Sequence, residues 1–186
     1  INKIKTIYRM KTMKTKRRKR SKNSTCKSNK GRTNGIAVLN NDTIKGTVYF
    51  KHTLNGLRID YNIKGLTDGE HGFHIHEYGD LTDGCTSACK HFNPYNKQHG
   101  GLNDANSHAG DLGNILSSNN IAKGHLYAKK ISITPGKKNN IIGRMIIVHE
   151  DRDDLGKGNN AESLKTGNSG KRIACGVIGI TNKIEY

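Results

Sequence analysis

The strongest constraint in this chain is a period of two. From residue 34 onward, apolar residues alternate with polar ones in short runs broken by Gly, Asn and Asp, and no segment offers a credible helix. Side chains of a strand point alternately to opposite faces, so each run is a strand with one face to bury. "GIAVLNNDTIKGTVYF" reads as two strands joined at Asn40, Asn41 and Asp42, a polar trio suited to a hairpin. "GLRIDYNIKGL" is a third strand and "GEHGFHIHEYG" a fourth. Three more cover 112–116, 121–128 and 141–149, and "RIACGVIGI" is the last. Eight short strands predict an all-β fold, an antiparallel sandwich or barrel. With 22 Gly, 2 Pro and no Trp, the composition suits many turns rather than a helical bundle.

Two stretches keep no period: more than thirty residues after Tyr78, and residues 150–171. Loops of that length in a small domain are uncommon unless they carry function.

Charge is unevenly placed. Fourteen of the 32 Lys and Arg fall in residues 1–33, which hold no acid, and the remainder sets eighteen bases against 15 acids. The net charge of +17 therefore belongs mostly to the first segment. With little to bury and much to repel, 1–33 is expected to be a disordered basic tail and 34–186 one folded domain. The plainest reading is a solvated tail with no specific role, and its run "KTKRRKR" also fits nonspecific polyanion binding, nuclear or other organelle targeting, or cleavage by a basic-specific protease. No run there is apolar enough for a leader or a membrane span, so a cytoplasmic protein without membrane contact is expected. The body is rich in Ile, Asn and Lys, which fits an AT-rich genome such as that of a large DNA virus; the location would then be host cytoplasm.

Chemistry concentrates in histidine. In "HGFHIHE", His74 and His76 stand two apart on a strand, share a face, and can present two imidazoles to one ion. The plain alternative is two wetted histidines on a polar face. However, His91, His99 and His108 follow in the long loop, Asp111 stands three residues after His108, and His149 ends "IIVHE". Imidazole and carboxylate donors suit zinc and copper, and no cysteine-pair grouping points to a thiolate zinc site.

Six motifs, "GFHIHEYGD", "GCTSACKHFNP", "HGG", "HAGDLGN", "IIGRMIIVHEDRDDLGKG" and "KTGNSGKRIACGVIGI", resemble in that order the copper/zinc superoxide dismutases of the eukaryotic cytosolic type. The resemblance covers residues 35–181. It implies an eight-stranded antiparallel Greek-key β-barrel or sandwich, immunoglobulin-like, with two long functional loops. It also implies an oxidoreductase that disproportionates superoxide to dioxygen and hydrogen peroxide by alternate reduction and reoxidation of copper, with zinc structural.

Residue by residue, the resemblance makes His74, His76, His91 and His149 the copper ligands and His91, His99, His108 and Asp111 the zinc ligands. His91 is then the bridge and carries a catalytic role with Arg172. Asp153 would link His74 to His99, and Lys165 and Glu162 would shape an anion-steering field. Cys85 and Cys175 would form a disulfide, leaving Cys89 a free thiol or a competitor for Cys175. Tyr78, Gly79, Ile142, Gly143, Val177 and Ile180 match a homodimer contact, and whether a copper chaperone is needed for loading stays open. His52, His71 and His125 read as structural. Ala161 and Asp151 depart from the pattern, at positions where the family often has an acid and a lysine. Two other readings compete: a metal-buffering domain of the same fold, and a nucleic-acid-associated protein whose tail does the binding.

Overall fold

The computed structural model describes residues 34–182. The expected tail, 1–33, and the last four residues lie outside the described residues.

Nine strands form two antiparallel sheets. β1 (Asn34–Asn40), β2 (Lys45–Thr53), β3 (Gly56–Lys64), β6 (Ile121–Ala128) and β9 (Gly179–Thr181) make one, in the order β6-β3-β2-β1-β9. The other has the order β5-β4-β7-β8, from β5 (Asp111–Ser117), β4 (Gly69–His76), β7 (Met145–His149) and β8 (Arg172–Val177). The chain crosses between sheets after β3 and returns with β6 beside β3, the non-sequential pairing of a Greek-key sandwich.

The local causes are those of the sequence pattern. At the first hairpin, Asn41 Oδ1 accepts from the backbone N–H of Thr43 and Ile44 at 3.1 and 2.6 Å, closing the turn with its own side chain. On β1, Ala37 and Leu39 are buried while Val38 between them is 57% exposed. Val48, Phe50, Ile59, Ile63, Phe73, Ile75, Ile146 and Val148 meet between the sheets. Each such side chain contributes roughly 1.5–3 kcal/mol by leaving water.

β7 departs from alternation, since all five of its residues are buried. Ile146 and Val148 face the main core, whereas Met145 and Ile147 pack against Ala88 in a second small cluster. Ala88 ends a 3₁₀ turn, Thr86–Ala88, in the loop between β4 and β5. That loop therefore covers the outer face of the second sheet, and β7 needs apolar residues on both faces.

The final run, expected as one strand, divides. Buried Ile178 donates its N–H to Arg144 O and accepts from Gly143 N–H, both at 2.8 Å. β8 stays in one sheet and β9 passes to the other, which gives a ninth strand. A single helical turn, α1 (Ser163–Thr166), lies in the second loop. No helix among the described residues is long and apolar enough to cross a membrane.

Candidate metal centre

Register decides where the strand histidines meet. β4 pairs with β7 so that His74 opposes Ile147 and His76 opposes Met145. His149 lies two beyond Ile147, so all three imidazoles project from one face. The first loop runs back along the end of β4. Glu77 N–H donates to Lys90 O at 2.9 Å and Phe92 N–H to Ile75 O at 2.8 Å, which sets His91 opposite His76. The donor atoms of His74, His76, His91 and His149 lie within 4.8 Å of one another.

A second group joins His91 to His99, His108 and Asp111 within the same distance. Asp111 opens β5, and its Oδ2 accepts backbone N–H groups of His108 and Gly100 at 2.9 and 3.1 Å. Its Oδ1 is thereby turned toward three Nδ1 atoms, of His91, His99 and His108, at 2.9, 3.1 and 3.2 Å. His91 thus belongs to both groups, with Nδ1 on one side and Nε2 free for the other.

Outer partners fix the rings. Asp153, fully buried, accepts from His74 Nε2 and His99 Nε2, each at 2.8 Å. Gly167 makes room for it, since a Cβ there would meet Asp153 Oδ1 at 1.9 Å. His76 Nδ1 donates to Cys89 O at 2.8 Å and His149 Nδ1 to Gly170 O at 3.2 Å. With those nitrogens engaged, His76 Nε2 and His149 Nε2 approach to 3.4 Å. His74 Nδ1 and His91 Nε2 are buried without a hydrogen-bond partner. Orphaned buried nitrogens are costly unless something completes them, and their convergence fits metal ions.

Electrostatics separate the two groups. Burial, helped by neighbouring His74, lowers His149 to about 3, and burial beside His91 holds His76 well below the usual range. These imidazoles are neutral, as ligands must be. Burial would push the Asp111 and Asp153 carboxyls up, but hydrogen bonds from the histidines outweigh it and hold both far below the carboxylate range. Burial likewise works against the His99 cation, yet hydrogen bonds to Asp111 and Asp153 raise it to about 9 in the metal-free protein.

The centre opens into a cavity of about 770 Å³ lined by His76, His91, His149, Lys165, Glu162 and Arg172. Arg172 Nη1 donates to Cys85 O and Thr86 O at 2.8 Å, and Nη2 donates to Cys89 O. Cys85 and Cys175 are joined by a disulfide that ties this loop to β8, and Cys89 is exposed and free. Bridging residues 90 apart stabilises by roughly 4–5 kcal/mol in the chain-entropy picture.

The remaining residues of interest fall elsewhere. Tyr78 and Ile180 are 52% and 66% exposed, while Gly79 backs onto Gly143 O and Val177 Cγ1, which a Cβ there would meet; Ile142 packs partly on the core. Buried His71 faces His149 O at 2.8 Å, His52 lies by Thr134, and His125 is exposed beside Tyr127.

Sequence reasoning missed three supports. Asn114 on β5 brackets Asp153, accepting its N–H at 2.8 Å and donating to its O at 2.9 Å. The carbonyls of Cys89 and Gly170 are the others. Asn114 stands within "HAGDLGN" and had a motif to mark it, whereas a carbonyl leaves no trace in sequence.

A Greek-key sandwich that gathers six buried histidines and an aspartate into two groups sharing one imidazole defines a binuclear metalloprotein. The family model for copper/zinc superoxide dismutase matches residues 44–178. The chain is 52% identical over 153 residues to a Cu-Zn superoxide dismutase of Onchocerca volvulus, covering 80% of this chain and 96% of that one. It is 56% identical over 146 residues to one of Paramecium bursaria Chlorella virus 1, covering 77% and 76%. The solved structure of the clock protein EA4 superposes with a TM-score of 0.78 at 43% identity, over 84% of this chain and all of that one. This chain belongs to the copper/zinc superoxide dismutase family.

Proposed function

We propose that this protein disproportionates superoxide to dioxygen and hydrogen peroxide, with copper held by His74, His76, His91 and His149 and zinc by His91, His99, His108 and Asp111. The observation that carries this reading is His91, the one imidazole common to both groups, with Nδ1 turned to Asp111 and Nε2 buried without a partner. When bound, copper supplies a one-electron change between two oxidation states and zinc a fixed positive charge.

The chain's own residues do the rest. Arg172 and Lys165 draw a small anion into the cavity, with Glu162 shaping the field at its wall. Arg172 is held by three carbonyls, so its cation stays at the mouth beside His76 and His149. Disproportionating two superoxide anions takes up two protons, and His91 Nε2 is placed to hold one. Asp153 keeps His74 and His99 in the tautomers that present Nδ1 inward.

The supporting frame is proposed on the same footing. Residues 34–186 act as one domain behind a basic tail that adds nonspecific affinity for polyanions. Two copies associate through Tyr78, Gly79, Ile142, Gly143, Val177 and Ile180, a patch of small and apolar groups suited to a self-complementary contact. The protein works in cytoplasm, that of the host if the gene is viral, and a copper chaperone loads it.

The test is the ultraviolet decay of superoxide with protein carrying copper and zinc, at low and high salt. A fast rate that falls with salt is expected. A rate no greater than that of free copper, with both metals bound, overturns the proposal. Sedimentation at micromolar concentration tests the dimer, and a monomer alone refutes it.

A further inference from the structure

We propose that the outer face of β2, β3 and β6 is a docking surface for single-stranded nucleic acid, a role independent of the metal centre. The register writes the surface out row by row. Lys45 directly opposes Lys64 across β2 and β3, and Asn62 opposes Lys123 across β3 and β6. All three lysines are exposed. Like charges placed opposite each other on a sheet are unfavourable unless something anionic lies across them. Asp60 is the single acid in these three strands, and Arg58 takes it in a fork: Nε lies 2.9 Å from each oxygen and Nη2 2.6 Å from Oδ1. That pair cancels itself, so the lysine charge stands.

The relief of the face matches a strand of nucleotides. Two shallow hollows of about 340 and 320 Å³ share Thr47 and Asn62 and together form one groove. Lys45 and Lys64 line the first, Lys123 the second. Tyr49 and exposed His125 also line the second. Tyr61 borders the hollow but packs its ring inward against core Phe73, so the rings offered outward are Tyr49 and His125. A basic groove with aromatic rings in its wall suits phosphates with bases against the rings, the pattern of sequence-tolerant single-strand binding. A sulfated polysaccharide would use the lysines and leave the rings idle.

Other occupants fit less well. The chain's own residues 1–33 hold fourteen bases and no acid, and are repelled. The contact proposed for a second copy draws on β8 and β9, and β9 lies at the far end of the sheet from β6.

The experiment titrates a fluorescein-labelled oligothymidylate with the full chain and reads anisotropy at several salt concentrations. Lys45→Glu/Lys64→Glu/Lys123→Glu is compared with Lys137→Glu/Lys138→Glu/Lys157→Glu, an equal charge change elsewhere. The sheet variant should bind at least about tenfold more weakly, and its log–log salt slope should fall by roughly 2, three phosphate contacts at about 0.7 each. The second variant should lose less than about threefold. An abasic oligonucleotide should compete about tenfold less well than the intact one. Equal losses from both variants, or no binding by the full chain, overturn the proposal. Competition by abasic strand or heparin as strong as by the intact strand overturns it in favour of a sulfated polymer. If the glutamates prevent folding, judged by circular dichroism, the same comparison is made with glutamines and a loss of about threefold expected.

Discussion

The two halves of the centre are built by different means. Three of the four proposed copper ligands come from β4 and β7, where register fixes their spacing before any loop is placed. Three of the four proposed zinc ligands come from the loop between β4 and β5, and their geometry exists because Asp111 gathers them. In the strand half, burial keeps the imidazoles of His76 and His149 uncharged. The loop half is assembled around buried carboxylates. A sheet can therefore offer one site to an ion, whereas the other needs charge to organise it and gains most from the ion's arrival.

The sharpest test removes one ligand from each half. His149→Ala should cut superoxide loss by more than about a hundredfold, beyond what an outer partner gives, while bound zinc stays stoichiometric. His108→Ala should release zinc and lower the melting temperature while leaving more activity than His149→Ala does. Metal analysis with calorimetry decides it; zinc loss in the His149 variant would break the division.

Asp153→Asn addresses the link between the halves. An amide cannot accept from both His74 and His99 as the carboxylate does, so affinity for both metals should fall by about 10- to 100-fold. Competition with a chelator measures each, and weakening of one metal alone would show that the halves are less joined than the geometry implies.

Arg172→Gln should act on the copper half alone. The rate should fall roughly tenfold and lose much of its salt dependence, with zinc affinity unchanged. Stopped-flow at graded ionic strength reads this directly.

The smallest effect is on the metal-free protein. His149 is lowered to about 3 from an unfolded value of 6.5, so its contribution is present above pH 6.5 and is lost as pH falls toward 3, where the unfolded chain binds the extra proton. His99 is raised to about 9, so its contribution is present below pH 6.5 and is lost as pH rises through 9. Urea midpoints across pH should show both limbs; His149→Gln should flatten the acid one and His99→Gln the alkaline one.

Much of this was legible beforehand because the chemistry rides on periodicity. His74 and His76 share a face by strand alternation alone, and β4 came out where the pattern put it. The family resemblance supplied the pairing of Cys85 with Cys175, which the structure contains. What stayed hidden depends on the third dimension. Alternation in "RIACGVIGI" gives no sign that Ile178 turns into the core and splits the run. The "MIIVH" run shows that β7 is buried, but not that a loop rather than a helix covers its second face. Carbonyls at Cys89 and Gly170 orient two imidazoles through atoms that every residue owns.

The grip on Arg172 has a consequence for the life of the molecule. Its guanidinium is held by carbonyls of Cys85, Thr86 and Cys89, a turn that is itself stapled to β8 by the Cys85–Cys175 bridge. Opening that bridge would free the turn from β8 and leave the cation at the cavity mouth unanchored, while the strand imidazoles, held by the β4–β7 register, keep their places.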